Sequence, residues 1–160
     1  MGTQPEIPSR WIDQAVQAAL AARAQAYAPY SRFLVGAALL DENGQVAVGC
    51  NLENASYSLT LCAERGAVQQ AWFTLQKPWR LLVVASEGGV TPCGACRQVL
   101  AEFAPRLPVL LVDSEQPDAR VWTSVDQLLP ARFELSRQAS SPQSPSGDSS
   151  SNVTDGSIEP

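Results

Sequence analysis

Residues 80–86 read Arg-Leu-Leu-Val-Val-Ala-Ser, with five consecutive apolar positions and no alternation. A short run of this kind, rich in aliphatic residues, is the pattern of a strand covered on both faces. Downstream, residues from about Gly94 to Phe103 read as a helix, Pro108 to Val112 as a second buried strand, and Val121-Trp122-Thr123 as a short third. Upstream, Cys62 to Leu75 predicts a helix with Ala67, Val68, Ala71, Trp72 and Leu75 on one face. Before it lie two apolar runs, Phe33 to Leu40 and Gln45 to Leu52, joined across Asn43-Gly44, a dipeptide that favours hairpins. Ser9 is placed to cap a first helix carrying Trp11, Ile12, Ala15, Val16, Ala19 and Leu20, which Tyr27-Ala28-Pro29-Tyr30 ends. The order helix, hairpin, helix, strand, helix, strand, strand predicts an α/β protein with a mixed sheet covered by helices.

The chain has 160 residues, which favours one domain with a sizeable core. We expect the domain over 9–135, flanked by a flexible N-terminus, 1–8, and a disordered serine-rich tail, 136–160. That tail holds nine serines and three prolines, and Val153 and Ile158 are its only large aliphatic residues. It cannot bury enough surface to offset the entropy of ordering. A net charge of −5 argues against a general nucleic-acid binder or a polybasic membrane-surface protein. No run of 18 apolar residues suggests a membrane span. The start, Met-Gly-Thr-Gln-Pro-Glu, lacks the basic-then-apolar pattern of a secretory signal, so a cytoplasmic location is expected.

The chain contains no histidine. That excludes Ser-His-Asp and Cys-His nucleophilic systems and every metal site that needs imidazole. Four cysteines remain: Cys50, Cys62, Cys93 and Cys96. In a reducing compartment these read as metal ligands, catalytic groups or buried fillers before disulfides.

Two fragments carry the chemistry: Cys62-Ala63-Glu64-Arg65 and Pro92-Cys93-Gly94-Ala95-Cys96-Arg97-Gln98. Alone, C-x-x-C serves zinc ribbons, redox dithiols and coincidence equally. Here it opens a helix, whose N-terminus favours thiolate, and Cys62 stands at a second helix start. Three thiolates without a fourth ligand in either motif describe a zinc with one open position, the pattern of a catalytic site. Such a metal lowers the pKa of bound water to about 7. Glu64, beside the metal but not on it, can take the proton and return it to a leaving group. On its own it would be an ordinary first-turn acid. Three thiolates and Zn²⁺ sum to −1, which weakens the metal as an electrophile. A guanidinium donating to the sulfurs offsets this. Arg65 or Arg97 can serve, and Arg65, adjacent to the metal turn, is favoured. Cys50 reads as a core filler. As a fourth ligand it would close the site and make it structural.

The pair C-A-E and P-C-x-x-C resembles the zinc deaminase signature in its three-cysteine form. The wider pattern is similar to the small homotetrameric cytidine deaminases. It comprises Pro29-Tyr30-Ser31-Arg32-Phe33 through Leu39, then Gly49-Cys50-Asn51-Leu52-Glu53-Asn54-Ala55-Ser56-Tyr57, and then the two cysteine motifs. The likeness spans about Ser9 to Phe133. It implies a three-layer α/β/α fold with a mixed central sheet of about five strands. It also implies hydrolytic deamination of cytidine and deoxycytidine in pyrimidine salvage, driven by zinc-activated hydroxide with one zinc per subunit. Cys62, Cys93 and Cys96 would hold the metal, Glu64 would shuttle protons, and Arg65 would donate to the thiolates. Asn51 and Glu53 would bind the ribose hydroxyls and Phe33 would pack on the nucleoside. The backbone of Ala63 and the carbonyl of Thr91 would face the base and the departing amine. Phe133, in Leu128-Leu129-Pro130-Ala131-Arg132-Phe133, would stack on the base in a neighbouring subunit's site, with Tyr57 near that boundary. The partners implied are a nucleoside and three further copies of the chain, with neither nucleic acid nor membrane.

Gly66 departs from the small polar or β-branched residue usual in C-A-E-R-x-A, and Thr91 replaces the commoner serine. Three rivals stay open at this level: a deaminase of a blasticidin-type nucleoside antibiotic or of a base within RNA or DNA, a non-catalytic zinc-stabilised module using Cys50, and a Cys93–Cys96 redox dithiol.

Overall fold

The computed structural model describes residues 6–135. The expected tail, 136–160, lies outside the described residues, as do residues 1–5 of the expected loose N-terminus. Helix α1 spans Ser9–Arg23, followed by strands β1 (Val35–Asp41) and β2 (Val46–Cys50), helix α2 (Ala63–Thr74) and strand β3 (Trp79–Ser86). Helix α3 (Gly94–Phe103), strands β4 (Pro108–Asp113) and β5 (Arg120–Ser124) and a short helix α4 (Val125–Leu128) complete the domain. The five strands form one sheet in the order β2-β1-β3-β4-β5. Only β3 and β4 are parallel, as the α3 crossover between them requires.

Strand β3 has helices over both its faces, which accounts for the unbroken apolar run. Leu82 and Val84 belong to a core shared with Ala63, Ala67 and Ala71 of α2 and Leu100 of α3. Leu81, Val83 and Ala85 point the other way, into a core shared with Ala15, Val16 and Ala19 of α1. The expected α/β/α arrangement, with five strands, is the one observed.

Several local expectations are corrected. Pro8, not Ser9, occupies the cap position of α1, without a side-chain cap bond, and the helix ends at Arg23, before Tyr27. The hairpin expected across Asn43-Gly44 does form. Gly44 has φ +79° and Asn43 keeps negative φ. The buried carboxylate of Asp41 organises this loop, its Oδ1 accepting from the N–H groups of Asn43 and Gln45 and its Oδ2 from that of Gln76. Trp72 does not join the packed face of α2. It is about half exposed and tilts against Phe103 at 5.4 Å, with the Lys77 ammonium 3.9 Å from its ring centroid. That contact carries the attraction of a cation for the aromatic face.

Gly49 is required by packing. A Cβ there would lie 2.3 Å from the Ala63 carbonyl oxygen and the Ala67 nitrogen, so α2 can lie on β2 only over a bare backbone. Gly66 sits opposite, yet a Cβ there would meet nothing nearer than 3.5 Å. Gly66→Ala is therefore expected to stabilise the fold by about 0.5–1 kcal/mol through helix propensity, whereas Gly49→Ala should unfold or misplace α2. Thermal denaturation checks both, and a loss of stability in Gly66→Ala would contradict the packing described.

Candidate active site

Strands β2 and β3 each run antiparallel to β1, so they point in the same direction. Helix α2 follows β2 and α3 follows β3, which brings both helix N-termini to one edge of the sheet. The crevice outside the carboxyl ends of strands is where open α/β sheets bind ligands. Cys62 is the cap residue of α2 and Cys93 that of α3, and neither makes a capping bond, so both sulfurs remain available. Cys96, in the first turn of α3, is buried.

The three sulfurs lie within 4.8 Å of one another, with Cys62 and Cys93 3.9 Å apart. Zinc–sulfur bonds of about 2.3 Å in a tetrahedron place sulfurs roughly 3.8 Å apart, so the set fits zinc. Cys50 is not in this group. It is half-buried at the end of β2, and its thiol points to the Gln25 carbonyl at 3.6 Å. The filler expected there is thus only partly buried, and the closed four-sulfur alternative has no support.

The electrostatics match a cation site. The Cys62 thiol is held down at about 5, first by its hydrogen bond with Cys96, then by Arg65 and Cys93, against the opposing effect of burial. Cys96 is pushed up, first by that same bond and then by burial and the charge of Glu64. Arg65 donates through Nη2 to the Thr60 carbonyl at 2.7 Å and approaches the Cys62 sulfur at 3.9 Å, which raises its own pKa. Glu64, 5% exposed, has its carboxyl raised by burial and then by the Cys62 charge. The Cys96 thiol donates to Glu64 Oε2 at 3.5 Å, which places the carboxyl beside the sulfur cluster.

A cavity of about 260 Å³ opens onto this cluster. That lies just below the range of about 300–1,000 Å³ usual for small-molecule pockets. Phe33, Asn51, Glu53, Tyr57, Ala63 and Thr91 all line it, together with Glu64, Cys62 and Cys93. Phe133 does not. It is 71% exposed and stands in a separate groove beside Gln98, Ala101 and Pro105 of its own chain.

Asn51 and Glu53 do more than face the cavity. The Asn51 side chain accepts from the Val35 N–H and donates to the Phe33 carbonyl, both at 2.8 Å, fixing the start of β1. Glu53 accepts from the N–H groups of Tyr30 and Ser31 at 2.8 and 3.2 Å, and from the Tyr57 hydroxyl at 3.4 Å. Burial opposes its ionisation, but hydrogen bonds from Ser31, Tyr30 and Tyr57 outweigh this and hold its carboxyl below the ordinary value. Ser31, Thr60 and Val84 also line the cavity and were not expected there. Thr60 Oγ1 is buried with no protein partner among the described residues, and so remains free for a ligand or water.

Comparison with known proteins agrees with this geometry. Residues 9–111 match the family model described as the cytidine and deoxycytidylate deaminase zinc-binding region. The chain is 45% identical over 125 residues to the cytidine deaminase of Sporosarcina psychrophila, covering 76% of this chain and 90% of that protein. It is 52% identical over 118 residues to the cytidine deaminase of Mycobacterium tuberculosis, covering 71% and 83%. Among solved structures, cytidine deaminase from Burkholderia pseudomallei superposes with a TM-score of 0.70 at 45% identity, covering 76% of this chain and 98% of that one. The Mycobacterium tuberculosis enzyme gives 0.64 at 40%, covering 78% and 98%. Three sulfurs spaced for zinc, a buried carboxyl beside them and this agreement in sequence and fold place the chain in the family of zinc-dependent cytidine deaminases.

Proposed function

We propose that the chain hydrolyses the C4 amine of free cytidine and deoxycytidine, giving the uridine product and ammonia, within a domain spanning 9–135. The observation that carries this is the buried Glu64 carboxyl, which meets the Cys96 thiol of three convergent sulfurs and lines the cavity beside Cys62 and Cys93. Cys62, Cys93 and Cys96 hold zinc, which when bound supplies an activated water at neutral pH.

Glu64 manages the protons. Burial raises its affinity for one, so it can take the proton released as water adds to C4 and pass it to N3, then carry the C4 hydroxyl proton to the amine as C4=O forms and the C4–N bond breaks to release ammonia. One water enters, one amine leaves, and the carboxyl ends as it began. Asn51 and Glu53 bind the ribose hydroxyls while anchoring the 30–35 segment, so sugar recognition and cavity shape depend on the same two side chains. Phe33 packs on the nucleoside, the Ala63 backbone faces the base, and the Thr91 carbonyl accepts from the departing amine. Tyr57, 59% exposed, and Phe133, which lies away from its own chain's cavity, suit a homotetramer in which Phe133 closes a neighbour's site. No described helix is long and apolar enough to cross a membrane.

The test is an absorbance assay with cytidine, deoxycytidine, cytosine and blasticidin S, run beside metal analysis. Turnover of the first two with one zinc per chain is expected. Zinc without nucleoside turnover would overturn the proposal. Arg65→Gln is expected to lower turnover and weaken zinc retention by about 10- to 100-fold, the usual cost of losing a partner that orients a metal ligand. If Arg65→Gln changes neither, the charge-compensation argument fails.

A further inference from the structure

Arg97 does not line the cavity, yet all three of its nitrogens hold segments that shape it. Its Nε donates to the Pro92 carbonyl at 2.7 Å, Nη2 to the Thr91 hydroxyl at 2.8 Å and Nη1 to the Leu128 carbonyl at 3.0 Å. The next residue, Gln98, donates to the Phe133 carbonyl at 2.9 Å. One rigid guanidinium thus grips both residues of the Thr91–Pro92 pair and ties them to the C-terminal segment.

The pair needs such a grip. It lies between the end of β3 and the start of α3, in neither a strand ladder nor a helix. The preceding Gly88 and Gly89 are both left-handed, at φ 71° and 58°. Pro92 has no N–H with which to anchor itself. Upstream the loop is tied by the Gly88 N–H to Asp113 Oδ1 and by the Val90 N–H to Ser86 Oγ, both at 3.1 Å, and Arg97 holds the two residues that follow.

We propose that Arg97 is a positioning residue for the leaving group: it aims the Thr91 carbonyl at the C4 amine by holding Thr91 and Pro92 while itself braced on the Leu128 carbonyl. This rests on the reading of Thr91 given above. A planar fork presents donors from three separate nitrogens in fixed directions, whereas a lysine ammonium presents all of its donors from one. Misplacement of a group by about 1 Å can cost about 10²-fold in rate.

The experiment uses the zinc-loaded full chain and the variants Arg97→Gln, Arg97→Lys, Thr91→Val and the Arg97→Gln/Thr91→Val pair. The readouts are kcat for cytidine, zinc content, and inhibition by uridine, which carries a C4 oxygen and no amine. Arg97→Gln is expected to lower kcat about 10- to 100-fold, with zinc content and the uridine inhibition constant essentially unchanged. Arg97→Lys should not rescue, Thr91→Val should fall in the same direction, and the double variant should lose less than the product of the single losses. Unchanged kcat, full rescue by lysine, multiplicative losses, or zinc loss in parallel with kcat would each overturn the assignment. Absence of cytidine turnover in the unmodified chain would instead overturn the reading on which it rests.

Discussion

Glu64→Ala is expected to lower cytidine turnover by at least about 10²–10⁴-fold while one zinc per chain remains bound. The two halves of this result are separable because Glu64 touches the cluster without belonging to it. Its Oε2 accepts from the Cys96 thiol at 3.5 Å, and the three sulfurs meet one another without it. Removing the carboxyl should leave the ligands in place and take away the one cavity-lining acid that meets the sulfur cluster, the group proposed to carry protons between water, N3 and the amine. Glu53, the other carboxylate lining the cavity, is held down by hydrogen bonds and committed to the Tyr30–Ser31 backbone, so it cannot substitute. Glu64→Gln keeps the shape and loses the titratable group, and should be nearly as impaired. Near-normal turnover in either variant, with zinc bound, would contradict the assignment.

Cys62→Ala, Cys93→Ala and Cys96→Ala are each expected to lose zinc and fall to background activity, while Cys50→Ala keeps both. Three protein ligands are the minimum for a catalytic zinc, and removal of one leaves two thiols and solvent. The three variants should also melt at lower temperature than the loaded enzyme, because metal bound only by the native state stabilises it by mass action. Cys50 serves as the internal comparison. Its thiol meets the Gln25 carbonyl rather than another sulfur, and its loss removes only a half-buried contact. Zinc analysis and melting of the four variants decide the matter. Loss of metal from Cys50→Ala would favour the closed structural site.

Much of this was legible in the sequence because chemistry and fold use the same punctuation here. Pro92-Cys93 marks the start of α3, and the cysteine that caps the helix is also a proposed ligand, so one signal fixes both. The unbroken Leu81–Ala85 run showed the sheet's covered centre. What escaped depends on contacts between distant segments. Trp72 has the spacing of a core residue, but Phe103 and Lys77 draw it into a surface cluster. Asn43-Gly44 marks the hairpin but not its geometry, which the carboxylate of Asp41 decides. Asn51 and Glu53 were legible as cavity residues but not as anchors of the 30–35 segment, since those bonds span 16 to 23 positions in the chain. Val84 looks like any core valine until the edge of the sheet is seen to end at the cavity.

The most direct measurement is X-ray absorption at the zinc edge of the purified protein without substrate. Three sulfur scatterers at about 2.3 Å and one oxygen scatterer at about 2.0 Å are expected. Four sulfurs around the metal, or a protein that takes up no zinc, would contradict the account.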